Sequence, residues 1–329
     1  KSLSEFMENK GLLFIPDISG FTQFINQTEI EHSRMIIQEL LELLINTNKI
    51  GLEISEIEGD AILFYKFGEA PKLEDIYKQV ETMFREFHKQ LLRYDQHKYC
   101  QCQACVSMVG LSLKVITHYG EFTGYNVKQF SKLIGKDVIV AHQLLKNDID
   151  QHEYWLVTQS LVYEKPSIGF ADWMTWNSGA KQTEAGEIPF HYTQLSELKN
   201  KIDPEPKLEY GLTDKLKVLS FTKEYDTDII TLFHATGDFN YRNKWFVGVK
   251  SVEVPNKHLP RLGMQCKCTM DNEEEVICSS GYSFDEERIE FNETNESKIF
   301  STQYSLEKLR LKKTKLMVDV YIQNGFMNR

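Results

Sequence analysis

The stretch Leu12-Leu13-Phe14-Ile15-Pro16-Asp17-Ile18-Ser19-Gly20-Phe21-Thr22 decides the fold of the first half of this chain. A short apolar run closed by Ser-Gly is a buried strand that runs into a turn. Outward from it, Met35, Ile36, Leu40, Leu41, Leu44 and Ile45 recur at helical spacing and predict a helix from Glu29 to about Asn48. Leu52–Glu58 and Ala61–Phe67 read as a hairpin turning at Gly59-Asp60. A second long helix is expected from Leu73 to about Tyr94, a strand over Leu111–Tyr119 and a third helix over Gly135–Lys146. Tyr154–Tyr163 and Ile188–Leu195 read as closing strands.

The whole chain has 329 residues, twice the usual size of a domain, about 150 residues. Lys201-Ile202-Asp203-Pro204-Glu205-Pro206-Lys207 has two prolines, four charges and no periodicity, which marks a boundary. The expected division is residues 1–199, a linker over 200–209, and a different fold over 210–329. Hydrophobic content of 41% and charged content of 26% describe a globular protein. The net charge of -10 argues against a generic nucleic-acid binder. Residues 201–329 hold 19 basic and 21 acidic side chains, the first 200 hold 19 and 27, so the acidity lies in the first domain. No apolar run reaches the roughly 18 residues of a membrane span, and no signal core opens the chain, so the expected location is cytoplasmic.

Asp17 ends a buried strand and Asp60 sits in a hairpin turn. Carboxylates presented from two such segments can converge on one hard cation, which often keeps phosphate as a further ligand. The amides of Ser19, Gly20, Phe21 and Thr22 open a helix, where an anion is favoured. The alternative is structural: Asp17 as a helix cap and Asp60 as a turn residue.

Phe14-Ile15-Pro16-Asp17-Ile18-Ser19-Gly20-Phe21-Thr22 resembles the first-strand motif of class III nucleotidyl cyclases, and Glu56-Ile57-Glu58-Gly59-Asp60-Ala61 resembles their second metal-aspartate hairpin. Lys114-Val115-Ile116-Thr117-His118-Tyr119-Gly120 is similar to the later strand ending in His-x-Gly, and Gly135-Lys136-Asp137-Val138-Ile139-Val140-Ala141 to the helix that follows. The resemblance implies a ferredoxin-like α/β sandwich that forms its site between two copies in a homodimer. It implies Mg²⁺ or Mn²⁺ on Asp17, Asp60 and the Ile18 carbonyl, with the triphosphate on the amides of Ser19 to Thr22. Glu56 and Lys132 fall at the two base-reading positions. A carboxylate at Glu56 can accept from guanine N1 and N2, a hint of guanine, and a solvated strand glutamate is the other reading.

The departures concern catalysis. The family's Asn and Arg on that helix, which serve the ribose and the transition-state charge, are here Ile139 and Gln143. Losing a cation aimed at developing charge costs orders of magnitude in rate. Lys132, Lys136 and His142 are candidate substitutes. The expectation is a degenerate Mg–nucleotide binder, with an active, guanine-preferring cyclase as the alternative.

His97-x-x-Cys100-x-Cys102-x-x-Cys105 places four soft ligands in one expected loop. They suit tetrahedral Zn²⁺, although Cys-x-Cys is tight for one ion; reduced thiols and disulfides are the other readings. Cys266, Cys268 and Cys278 lie on expected strands, as small core side chains.

After the linker, Lys215–Tyr225 reads as a strand, Asp226-Thr227-Asp228 caps a short helix from Ile229 to about Thr236, and a turn or short helix spans Phe239–Trp245. Six further antiparallel strands follow, the last two over Ser297–Lys308 and Leu309–Ile322. Asp228 to Asp238, then Trp245 and Gly248, resemble the START/polyketide-cyclase (helix-grip) superfamily. That implies a curved sheet around an apolar cavity, an apolar small molecule as ligand, and a closing C-terminal helix that no pattern before Arg329 supplies. Phe233, Phe239, Trp245 and Phe246 are candidate lining residues, or ordinary core aromatics. The basic run Lys308–Lys315 suits an anionic partner, or the solvated face of a strand. The expected class is α+β, and the whole layout suggests a bacterial sensor or regulator; a lipid-like-ligand carrier with a purely dimerising first domain is a further alternative.

Overall fold

The computed structural model describes residues 9–97, 102–164, 166, 169–184, 186–203, 212, 214–254, 263–270, 274–284 and 287–324. The chain divides into two compact units, Lys1–Leu92 with Ser107–Pro204, and Arg93–Val106 with Glu205–Arg329. Residues 93–106 thus interrupt the stretch expected to form one domain. No helix among the described residues is long and apolar enough to cross a membrane.

In chain order the first unit holds β1 (Lys10–Ser19), α1 (Phe21–Gln27), α2 (Ile30–Asn46), β2 (Glu53–Glu58), β3 (Ala61–Phe67) and α3 (Leu73–His97), whose last turn belongs to the second unit together with a short α4 (Gln103–Ser107). Then come β4 (Ser112–Glu121), β5 (Thr123–Val127), β6 (Phe130–Ile134), α5 (Lys136–Leu144), β7 (Tyr154–Thr158), β8 (Trp176–Thr183) and β9 (Gly186–Gln194). The strands β2-β3-β1-β4-β7-β9-β8 form one sheet, in which β4 and β7 run parallel and the other neighbours antiparallel.

β1 is buried from Gly11 to Ser19, as a strand covered on both faces must be. On one face Leu13, Ile15, Leu63, Ile116 and Leu156 meet Val140, Ala141 and Leu144 of α5. Elsewhere α3 sets Tyr77 against Trp155 with ring centres 6.0 Å apart, and Phe14 lies edge-on to Phe64. Truncating a buried phenylalanine such as Phe14 to alanine costs about 3–5 kcal/mol.

The helix start at α5 is tied to the sheet by His118. Its Nδ1 contacts Thr158 Oγ1 at 2.8 Å and its Nε2 contacts Asp137 Oδ1 at 3.0 Å, while Asp137 Oδ2 accepts from the Glu121 amide at 2.7 Å. A Cβ on Gly120 would fall 2.2 Å from the Asp137 carboxyl carbon, so only glycine lets the carboxylate seat there.

Three strands escape the sequence patterns. The β5–β6 hairpin is exposed almost throughout, with Lys128 at φ 55 in its turn, so no apolar alternation announces it. β8 reads Trp-Asn-Ser-Gly-Ala-Lys-Gln-Thr; it is an edge strand held by pairing with β9, with the Phe190 ring where a Cβ on Gly179 would be. The strand expected over Tyr154–Tyr163 ends at Thr158, where the Leu161 amide turns back to the Thr158 carbonyl.

The second unit continues with β10 (Lys215–Tyr225), α6 (Ile229–Gly237), a 3-10 turn (Phe239–Tyr241), α7 (Arg242–Trp245), β11 (Ser251–Glu253), β12 (Gln265–Thr269), β13 (Glu274–Phe284), β14 (Arg288–Asn295), β15 (Phe300–Arg310) and β16 (Lys313–Gln323). Its antiparallel sheet has the order β10-β16-β15-β14-β13-β12-β11. Asp228 caps α6 by accepting from the Thr231 amide at 2.9 Å. Ile229, Leu232 and Phe233 of α6 pack on Ile289, Phe291, Tyr304, Leu306 and Leu316. The basic run Lys308–Lys315 is not one strand face: it turns at Leu311-Lys312, pairing Lys308 with Thr314, because β15 and β16 are a hairpin.

Candidate functional site

Asp17 and Asp60 are brought together by the β1–β3 ladder. Asp17 pairs with Ala61, and beyond that pair the Ile18 amide donates to the Asp60 carbonyl at 3.0 Å. Gly59, at φ +62, allows the turn that carries Asp60 to that position. Asp17 is 9% exposed. Burial, with a smaller contribution from the Asp60 charge, pushes its carboxyl up to about 6, against the opposing pull of Lys114. Burial also raises the Asp60 carboxyl.

Lys114 is the partner that the sequence patterns missed. It faces Asp17 across the β1–β4 ladder, with Nζ 3.5 Å from Asp17 Oδ1 and 3.2 Å from the Leu145 carbonyl. Its strand was recognisable in the sequence, but the register that sets it opposite Asp17 was not. Two desolvated carboxylates with one ammonium between them are under-compensated. An all-oxygen pair in that condition fits a hard divalent cation, which would relieve the burial that raises both carboxyls. Asp17 and Asp60 would hold such an ion, with the Ile18 carbonyl expected to assist, and the ion would supply charge for phosphate oxygens.

Beside this pair, Gly20 takes φ +88, a left-handed conformation, and α1 starts at Phe21 with no side-chain cap on its first turn. The Ser19 hydroxyl is committed elsewhere, donating to the His152 carbonyl at 2.8 Å. The Phe21 ring lies 3.8 Å from where a Cβ on Gly59 would stand, so the helix start and the Asp60 turn adjoin; Thr22 is exposed.

The two expected base-reading residues also meet. Lys132 on β6 donates to Glu56 on β2. His142 of α5 lies between Glu56 and Glu58, its Nε2 3.7 Å from Glu56 Oε1 and its Nδ1 3.6 Å from Glu58 Oε2. One ligand atom from each of Glu56, Glu58 and His142 falls within 4.8 Å of the others. On the same helix Ile139 is 58% exposed, and the buried Gln143 Oε1 has no hydrogen-bond partner. On α5, then, the imidazole of His142 stands beside Glu56, one residue before Gln143.

The expected soft-ligand cluster is only partly described. Cys100 and the His97 side chain lie outside the described residues. Cys102 is half-buried and Cys105 is buried. The stretch is not simply a loop: Gln103–Ser107 is helical, with the Val106 amide donating to the Cys102 carbonyl at 3.1 Å. In the second unit, Phe233 and Phe239 are each 2% exposed and belong to two different packed clusters rather than to one cavity wall. Trp245 is 38% exposed and lies edge-on to the partly buried Phe246.

The family model described as Protein of unknown function (DUF2652) matches residues 37–154, which include Glu56, Asp60, Lys114 and Lys132 but not Asp17. The uncharacterized protein Rv2561/Rv2562 of Mycobacterium tuberculosis is 34% identical over 122 residues, 36% of this chain and 56% of that protein. The chain thus spans little more than half the length of this curated relative. Three solved structures are similar. The guanylate cyclase domain of RhGC from Catenaria anguillulae, in complex with GTP, covers 57% of this chain and 97% of its own at 12% identity and a TM-score of 0.40. A bacterial light-regulated adenylyl cyclase covers 58% and 95% at 15% identity and a TM-score of 0.40. The adenylyl cyclase CyaB from P. aeruginosa covers 56% and 93% at 17% identity and a TM-score of 0.35.

Proposed function

We propose that the first unit is a degenerate cyclase-like module that binds a nucleoside triphosphate together with Mg²⁺ or Mn²⁺ and turns it over slowly or not at all. The observation that carries this reading is the pair Asp17 and Asp60, desolvated and joined through the Ile18–Asp60 hydrogen bond. The uncapped start of α1 adjoins the pair and suits phosphate oxygens. Against efficient cyclisation stand Ile139 and Gln143, neither of which carries charge for the transition state. Thermal unfolding with Mn²⁺ and GTP or ATP tests the binding. A ligand at about 100-fold its Kd stabilises by about 2.7 kcal/mol, and that shift should vanish in Asp17→Ala and Asp60→Ala. Rapid formation of cyclic nucleotide that is lost in Asp60→Ala would replace this reading with that of an active cyclase.

A second copy of the chain is the partner this reading calls for. An apolar groove of about 460 Å³, lined by Phe21, Ile25, Ile30, Ile37, Leu41 and Ile57, supports self-association of the first unit. Sedimentation of the full chain tests it, and a monomer at tens of micromolar sinks it.

For the second unit we propose an apolar small-molecule ligand. Leu216, Leu219 and Phe221 of β10 are 49%, 61% and 45% exposed. In the ladder they stand beside Ile322, Val320 and Val318 of β16, with Phe300 beyond Ile322. That apolar face is only partly covered, which is costly unless something occupies it. With nucleotide and apolar ligand in one chain, the protein would act as a sensor or regulator. Enhanced fluorescence of an apolar dye that Leu219→Lys abolishes would support the ligand site; unchanged fluorescence would remove it.

A further inference from the structure

Two cysteines of the second unit form a buried dithiol. Alternation along β12 projects Cys266 and Cys268 from one face; they are 0% and 1% exposed, with sulfurs 3.4 Å apart in an S–H···S contact. Cys278 on β13 pairs with Gln265 and so faces the other side of the sheet. Both thiols lie within electrostatic reach of Arg242 and Glu293. The Arg242 guanidinium is buried against the rings of Phe239, Trp245 and Phe246, 5.3, 4.7 and 5.8 Å from their centres. Its Nη2 donates to Glu293 and its Nη1 to Tyr304 Oη, but its buried Nε has no hydrogen-bond partner. Arg242 thus brings a permanent positive charge, offset by the Glu293 carboxylate, within electrostatic reach of a contacting pair of thiols.

We propose that Cys266 and Cys268 are a reversible oxidation site, closed to an intrastrand disulfide by hydrogen peroxide and reopened by a small thiol. In the first step the Cys268 sulfur, as thiolate, attacks a peroxide oxygen. The O–O bond breaks, and the departing hydroxide takes up the proton the thiol released, leaving as water. Cys268 is then a sulfenic acid, within electrostatic reach of Arg242. In the second step the Cys266 sulfur attacks the Cys268 sulfur. The S–O bond breaks, and a second water leaves with the Cys266 proton. Two thiols lose two electrons in total, and one peroxide becomes two waters. Either thiol can donate in the S–H···S contact, so the two sulfurs can exchange these roles. Two residues along a strand span roughly 6.6 Å between Cα atoms, at the upper limit that a disulfide bridges. A bond closed at that limit is strained and readily reduced, the property of a switch rather than of a staple.

The test uses the full chain carrying Cys100→Ser, Cys102→Ser, Cys105→Ser and Cys278→Ser, in which Cys266 and Cys268 are the remaining thiols. Dilute hydrogen peroxide should lower the intact mass under non-reducing, denaturing conditions by about 2 Da, reversed by dithiothreitol. Adding Cys268→Ala should abolish the loss. If the multiple variant does not fold, peptide mapping of the oxidised wild-type chain makes the same measurement on the segment holding both cysteines. Arg242→Gln should slow the oxidation at least about tenfold at neutral pH. A mass gain of about 32 Da on this segment, a crosslink between chains, or an unchanged mass would each overturn the proposal.

Discussion

Glu56 on β2 and Lys132 on β6 form an ion pair with each other, and both stand at positions expected to read a nucleobase. Together they present an acceptor beside a donor, which matches guanine N1 and N2 as donors and O6 as acceptor. Adenine offers one donor, N6, beside an acceptor and lacks the paired N1 and N2 donors of guanine. Opening the pair to admit a base exchanges one charge-assisted contact for others, so the expected preference is modest. We expect GTP to bind more tightly than ATP by about tenfold, a difference of about 1.4 kcal/mol. Glu56→Gln should erase most of that preference and leave ATP affinity nearly unchanged, as read by calorimetric titration in Mn²⁺. Equal losses for both nucleotides would assign Glu56 to holding β6 rather than to the base.

Asp17 illustrates how a buried carboxylate lowers the stability of a protein. Burial holds its carboxyl near 6 instead of 3.8. Keeping it ionised at pH 8 therefore costs on the order of 3 kcal/mol relative to a group that need not ionise. Asp17→Asn should raise the stability of the metal-free protein at pH 8, by up to about 3 kcal/mol and less where Lys114 loses its partner. The same variant should lose the stabilisation that Mn²⁺ gives the wild type. Equal Mn²⁺ responses in variant and wild type would remove Asp17 from the site.

The acid limb of stability should expose two opposed titrations. His88 is buried, with Nε2 3.2 Å from Ser112 Oγ, and burial pushes its pKa down to about 3 from 6.5. Between pH 6.5 and 3 the unfolded chain binds a proton there that the folded chain does not, so stability falls as pH falls, by at most about 1.4 kcal/mol per pH unit. Asp17 acts in the other direction. Between pH 6 and 3.8 the folded chain holds a proton that the unfolded chain has released, so stability rises as pH falls. Asp17→Asn should steepen acid destabilisation in that window, and His88→Gln should flatten or reverse it. Urea midpoints from pH 7 to 4.5 make the comparison. Asp137, whose carboxyl is held low by its hydrogen bonds to His118 and the Glu121 amide once its burial is overcome, contributes to both variants alike and cancels in the difference.

How much of this was legible in the sequence follows from the range of each interaction. The apolar run Leu12–Ile18 and the helical spacing of Ile36, Leu40 and Leu44 are local signals, and they place β1 and α2 within a few residues. Asp17 and Asp60 were also readable, because each sits where a strand meets a turn. Lys114 was not, because its meeting with Asp17 depends on the register of a ladder between segments about a hundred residues apart in sequence. The pairing of Glu56 with Lys132 was hidden for a further reason: β6 has no buried face, and so no pattern. In the second unit, alternation placed the strands, but it did not show that Phe233 packs on Phe291 instead of lining a cavity. Both uses require the same aromatic residue.

Gly120 offers a test of how rigidly the start of α5 is held. Asp137 fills the space a side chain at position 120 would need, and there it accepts from the Glu121 amide and bonds His118 Nε2. A methyl group at that point meets the carboxylate itself, which cannot retreat without breaking one of those bonds. Gly120→Ala should therefore cost about 1–3 kcal/mol, the usual penalty for overpacking. It should appear as a lower urea midpoint at unchanged slope. Asp137→Ala removes the obstacle and its bonds together, so Gly120→Ala should cost much less in that background, with an interaction energy of about 1 kcal/mol or more. Strict additivity of the two changes would show that the carboxylate does not occupy the space beside Gly120 in solution.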